Sequence, residues 1–241
     1  MSLQSGRKVQ RSSASKRPSL TDSICVKIRD RIVFSEILPN QLLVESRLAE
    51  EYGVSKTPVR EALGLLSQEG LVEVIPRVGY RVTPIGIHDV HEVFHLRFLL
   101  EPEAGALAAR RGTRDEVVAL QKADREELEH LAAQERFSMK SYVCYHDAFH
   151  LGIATLSGSK RLTRIIRSLL RDSTRVRIHD PLMGAEGLDE DREFTEQLTG
   201  ALLEKDETEA RRLMSEHLKS SKARILEELS DPELQATLSL N

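Results

Sequence analysis

Two groups of residues in this sequence could do chemistry. The first is centred on histidine. His146 and His150 stand four apart, with Phe149 and Ile153 on the same stripe, and residues at that spacing point the same way from a helix and can share one metal ion. His217 falls on the stripe of Ala210, Leu213 and Met214, Thr195 among Phe194, Leu198 and Leu202, and Arg97 between Phe94, Phe98 and Leu100. A single histidine on an apolar face is ordinarily a satisfied core residue. Three of them, with an arginine, on the inward faces of three helices point instead to a ligand site. Neutral imidazoles favour zinc, nickel or copper over magnesium or calcium, so zinc or nickel is the expected ion. Arg97 carries the planar fork that clamps a carboxylate; an ion pair with Glu101, one turn away, is a compatible structural role.

The second group lies near the N-terminus. After Gly53 come Ser55, Lys56, Thr57 and Arg60, with Pro58 suited to a first helical turn and Ser55 to its cap. Hydroxyls at a helix N-terminus suit phosphate contacts, and Lys and Arg can also reach guanine edges. Farther on, Pro76-Arg77-Val78-Gly79 forms a hairpin tip in which Gly79 permits close approach to a backbone and Arg77 can enter a groove. Taken singly, Lys56 and Arg60 are ordinary solvated charges; the constellation points to double-stranded DNA.

The elements that must position these groups follow from periodicity. Ile24, Ile28, Ile32 and Val33 repeat at helical spacing behind a Thr21-Asp22-Ser23 cap cluster, and Leu38-Pro39-Asn40 closes that helix. A short helix with Leu48, Ala49 and Tyr52 on one face ends at Gly53, and a third runs from Ser55 through Leu66 to a stop at Gly70. Residues 71–75 and 80–82 are β-prone. Three short helices with a tight glycine turn, then a hairpin, make a winged helix-turn-helix whose third helix enters the major groove. Beyond Thr83-Pro84 the chain has almost no β signal, and helices are expected over 88–111, 114–134, 139–156, 160–178, 186–204 and 207–229, with 112–113, 158–159 and 181–187 as breaks. The expected fold is mainly α: a winged helix-turn-helix over 21–84 and an antiparallel bundle of about six helices over 85–232. Residues 1–20 read as a disordered basic tail, with a salt-dependent DNA arm as the alternative, and 233–241 as a C-terminal tail.

Bulk properties exclude several classes. The chain has 241 residues, 40% of them hydrophobic and 30% charged, which suits two soluble domains of ordinary size. Net charge is −3, so any basic footprint must be local. The two cysteines, Cys25 and Cys144, have no paired spacing, and no apolar run approaches a membrane span or a signal-peptide core. The expected compartment is the cytoplasm, with no membrane partner.

Residues 23–82, with the block SKTPVREALGLLSQEGLV followed by PRVGYRV, resemble the DNA-binding domain of the GntR family of regulators. Two departures are Lys56, where the family most often has arginine, and Asn40, where it usually has glycine. Lys lacks the guanidinium fork, which bears on base preference; Asn tolerates the same turn. The remainder resembles the all-helical ligand domain (FCD) of the FadR-type subgroup through Arg97 with Glu101, Phe149-His150, and Asp206, Ala210, Met214 and His217. The resemblance implies a non-enzymatic regulator, by habit a repressor, that binds a palindromic operator as a homodimer. It also implies a divalent metal held by an acid and three histidines, with a small carboxylate effector beside it. His150 and His217 match two of those histidines, while the acid position is His146 and the middle histidine position is Thr195. The site is then either three histidines completed by water or ligand, or a vestige that binds effector, with Arg97 and Thr195, without metal. Asp147 lies off the stripe by about 100°.

Two other functions compete. The segment His146-Asp147-Ala148-Phe149-His150 resembles the HExxH motif of zinc hydrolases, but with a shorter acid where the general base belongs. Alternatively, the helical domain is purely structural, and operator affinity ignores small molecules.

Overall fold

The computed structural model describes residues 19–178 and 185–229. In chain order the elements are α1 (Leu20–Val33), β1 (Leu42–Leu43), α2 (Glu45–Tyr52), α3 (Lys56–Gln68), β2 (Val72–Ile75), β3 (Gly79–Val82), α4 (Ile87–Arg111), α5 (Arg114–Ala132), α6 (Met139–Leu156), α7 (Lys160–Arg177), α8 (Ala185–Glu204) and α9 (Glu207–Glu228). Of the tail expected at 1–20, residues 1–18 lie outside the described residues, while Ser19 and Leu20 belong to the start of α1; the tail expected at 233–241 lies outside the described residues, as do 179–184 and 230–232.

The winged domain forms around Ile24, Ile28, Ile32, Val59, Leu63, Leu66, Leu71 and Val82, all buried. Helix α1 starts earlier than the Thr21-Asp22-Ser23 cluster suggests. Ser19 is its cap: the Ser19 hydroxyl accepts from the Asp22 N–H, and the Asp22 carboxylate accepts from the Ser19 N–H, both at 3.0 Å. This reciprocal capping box satisfies two otherwise orphaned donors. The helix also ends earlier, at Val33, and Asn40 takes a left-handed conformation (φ 63) as it returns to the sheet, its N–H bonding Val82 O at 2.9 Å. Gly53, at φ 65, closes α2 as its sequence position indicates.

The sheet has the order β1-β3-β2, with Leu43 opposite Tyr80 and Val72 opposite Val82. Strand β1 has only two residues, too few for alternation to reveal. It nevertheless explains Gly79. That residue sits at φ 146, and a Cβ there would lie 2.5 Å from Leu43 O. The backbone that Gly79 approaches is therefore the protein's own β1.

In the second domain α4 is central, touching α6, α7, α8 and α9. Gly105 lets α4 close on α9, since a Cβ would stand 3.3 Å from Ala210 O. Helix ends fall within one or two residues of expectation, except that Gly187, expected in a break, lies inside α8.

The domains meet along α7. Arg171 Nη1 reaches Glu69 Oε2 at 2.7 Å, and Arg29 holds the same carboxylate through Nε and Nη2 at 2.9 and 2.7 Å. One turn on, Arg175 Nη2 donates to Thr83 O at 2.5 Å. Among the described residues no helix is long and apolar enough to cross a membrane.

Gly79→Ala should cost about 1–3 kcal/mol of stability, from backbone strain plus the clash with Leu43. Urea unfolding measures it, and an unchanged midpoint would contradict the close approach described.

Candidate functional site

On the winged domain, Ser55 caps α3 in an extended conformation but makes no side-chain capping bond. Its hydroxyl and the first N–H groups of α3 are thus left for another acceptor, such as a phosphate. Lys56, Thr57 and Arg60 follow on exposed positions of the first turns. Arg60 is not a loose cation: Glu45, at the start of α2, holds its Nε and Nη2 at 2.9 and 2.8 Å. The pair aims the guanidinium rather than stabilising the fold, because exposed ion pairs contribute little. Arg77 sits at the wing tip with φ 66, and Lys56, Arg60, Arg77 and Gly79 line one groove of about 390 Å³ with Glu45 and Tyr80. Of the six residues singled out for DNA, the groove brings together Lys56, Arg60, Arg77 and Gly79, while Ser55 and Thr57 lie exposed at the start of α3.

The histidines converge. His146 and His150 from α6 and His217 from α9 offer ring nitrogens that all lie within 4.8 Å of one another. Nε2 of His217 stands 3.1 Å from that of His146 and 3.3 Å from that of His150. Two imidazoles on one tetrahedral zinc, with Zn–N of about 2.0–2.1 Å, place their nitrogens about 3.3–3.4 Å apart. Glu101 Oε2 lies 2.5 Å from His150 Nδ1, so that nitrogen donates its proton and Nε2 presents a lone pair. A carboxylate behind a metal-ligating histidine is the usual supporting arrangement. Burial first, then the charge of Arg177 on His146 and the His150 imidazole beside His217, lowers the pKa of both histidines well below the ordinary value. They are neutral at physiological pH, the protonation state a metal ion requires. The residues present therefore fit a divalent ion, which His146, His150 and His217 would hold.

Arg97 lies fully buried over the Phe94 ring, 4.9 Å from its centroid. Its Nε and Nη2 meet Glu101 at 2.5 and 3.4 Å, and Nη1 donates to Ser173 Oγ at 3.0 Å. All three nitrogens are engaged within the protein. Burial alone would raise the pKa of Glu101, but Arg97 and His150 outweigh it and hold the carboxyl well below the usual range. Thr195 is buried on α8, where its hydroxyl donates to Arg192 O at 3.2 Å. Asp147 accepts from Thr174 at 2.6 Å and from Arg177 at 3.2 Å. Its carboxylate is engaged by these two residues of α7, which compete for the oxygens a general base would need.

Sequence reasoning missed Arg177, Asp191 and Tyr142. Tyr142 donates to Asp191 Oδ2 at 2.5 Å, and burial raises the pKa of both groups. Arg177 shares an inward stripe with Ile166, Leu170 and Ser173, all buried. That stripe was readable at helical spacing, but the many other cations of α7 obscure it.

The sequence matches the model for "Bacterial regulatory proteins, gntR family" over residues 20–82 and the model for the FCD domain over 92–220. The chain belongs to the GntR family. It is 30% identical over 196 residues to the HTH-type transcriptional repressor GlaR of Escherichia coli K12, covering 79% of this chain and 89% of GlaR. An uncharacterised HTH-type regulator from an unstable DNA locus of Streptomyces ambofaciens is 32% identical over 203 residues, 82% of this chain and 81% of its own. Among solved structures, E. coli McbR/YncC superposes with a TM-score of 0.73 at 26% identity, covering 88% of this chain and 99% of McbR. This GntR protein is therefore a DNA-binding transcription regulator with an FCD domain, and not an enzyme. The hydrolase interpretation of His146 to His150 falls with that assignment and with the placement of Asp147.

Among the described residues, Glu101 is the one anion bonded to the buried Arg97 guanidinium, and Glu101→Gln removes it. Loss of one partner of a buried pair should cost about 3–5 kcal/mol, read as a lower urea midpoint with unchanged slope. A loss under about 1 kcal/mol would mean that another group balances Arg97.

Proposed function

We propose that this regulator is a ligand-responsive repressor that binds a palindromic operator as a homodimer. In this account its helical domain holds zinc or nickel through His146, His150 and His217 and senses a small carboxylate. The observation that carries the proposal is the convergence of the three Nε2 atoms, with Glu101 locking the tautomer of His150. A divalent ion there would supply open coordination positions for a carboxylate oxygen. The chain's own contribution is orientation: Arg97 fixes Glu101, Glu101 fixes His150, and the apolar rings of Phe149 and Phe194 exclude water on one side.

Helix α7 supports a route from this chamber to DNA. Ser173, Thr174 and Arg177 bond Arg97 and Asp147 inside the bundle, while Arg171 and Arg175 grip Glu69 and Thr83 of the winged domain. A shift of α7 by an effector would therefore move the C-terminal end of α3, whose N-terminal end carries Ser55, Lys56, Thr57 and Arg60. One recognition helix per chain suits a dimer on two half-sites about one DNA turn apart. Repression follows the name of GlaR and the habit of the family.

Elemental analysis of the purified protein tests the metal directly. Near-stoichiometric zinc or nickel in the wild type, lost in His150→Ala, is the expected result; no metal in either, after incubation with both ions, would overturn it. Arg60→Ala should weaken operator binding about tenfold or more, since each good base or phosphate contact is worth about 1–3 kcal/mol. Equal affinity by fluorescence anisotropy would remove Arg60 from the DNA surface.

A further inference from the structure

Arginines in this chain hold carboxylates in one recurrent way. Arg29 meets Glu69 through Nε and Nη2 at 2.9 and 2.7 Å, and Arg60 meets Glu45 through the same two nitrogens at 2.9 and 2.8 Å. Arg97 on Glu101 (2.5 and 3.4 Å) and Arg212 on Glu209 (2.7 and 2.5 Å) repeat the pattern. These two N–H bonds run parallel along one edge of the planar guanidinium and match the spacing of two carboxylate oxygens.

Arg177 presents the same edge with no carboxylate of the described residues on it. Its Nη1 meets Asp147 at 3.2 Å, but among the described residues Nε and Nη2 have no hydrogen-bond partner, and the side chain is 0% exposed. A buried guanidinium with a bare edge is costly, because its donors have lost water and gained nothing. The surroundings repeat the deficit: His146 Nδ1, which lies 3.9 Å from Asp147, and Arg224 Nε are also buried without a partner. The nearby acids are engaged elsewhere. Asp147 accepts from Thr174 at 2.6 Å, Asp191 from Tyr142 at 2.5 Å, and Glu101 belongs to Arg97 and His150.

We propose that the Nε/Nη2 edge of Arg177 receives the carboxylate of the effector, a small organic acid, and that Arg97 supports the site only through Glu101. The proposal rests on the reading of the helical domain as effector-responsive, and it names the group that grips the ligand. Two parallel donors suit a planar carboxylate; a phosphate, with more oxygens to satisfy, asks for more donors than this edge supplies. The position also gives the ligand a lever, since Arg177 lies six residues beyond Arg171 on the helix that clasps Glu69.

The test is calorimetric titration of the full chain, zinc-loaded and chelator-treated, with acetate, malonate and inorganic phosphate. Wild type, Arg177→Gln and Arg177→Lys are compared. Lys keeps a charge opposite Asp147 but lacks the fork, so it serves if the Gln variant fails to fold by circular dichroism. The expected result is binding of acetate or malonate to wild type, weakened about tenfold to hundredfold in the folded variants. Acid affinity unchanged in the variants would overturn the assignment to Arg177 and leave the effector reading standing. Phosphate binding tighter than either acid would overturn the carboxylate class. No binding of any of the three to wild type, in either metal state, would overturn the assignment and the effector reading together.

Discussion

A carboxylate with no access to water organises the helical domain. Glu101 is 2% exposed, and both its oxygens are occupied, by Arg97 and by His150. A lone buried charge would be intolerable, and a buried pair is only marginally favourable against an apolar core. What the arrangement supplies is direction. Arg97 is held over Phe94 and tied to α7 through Ser173, while His150 is held with its Nε2 facing His217. Replacing these groups with leucines would give a bundle of similar volume, but with nothing for a metal or an acid to bind.

Helix α7 carries that interior order to the surface. Its inward positions serve the chamber, and Arg171 and Arg175, on another side, serve the winged domain. Glu69 receives two arginines, one from each domain, so its position depends on both. A helix gripped at both faces transmits displacement better than a flexible linker does, because packed elements shift as units. Coupling between two sites requires such an element with two settings, not mere proximity.

Much of this was legible in the residues. Gly53, Ser55 and Pro58 placed the recognition helix, and the stripe shared by His146, His150 and Phe149 placed the inward face of α6. Strand β1 was not legible, because two residues show no alternation, and so Gly79 could not be assigned to its contact with Leu43. The cap at Ser19 was hidden by the more conspicuous Thr21-Asp22-Ser23 run. The arginines show the limit most clearly. Arg97 stood out because its helix has few cations on that face; Arg177 sits among many, Arg175 buried with it, and only its partners distinguish it. Which arginine has a free edge depends on where Glu101 and Asp147 point, and spacing along one helix does not determine that.

The central claim is that the imidazole chamber governs how the winged domain reads DNA. Operator affinity of the full-length protein, measured by fluorescence anisotropy at fixed salt with zinc bound and after its removal by chelator, tests this most directly. The account predicts a change of about 5–150-fold between the two states, the range of typical allosteric coupling. Zinc bound at the three histidines with operator affinity unchanged would contradict it.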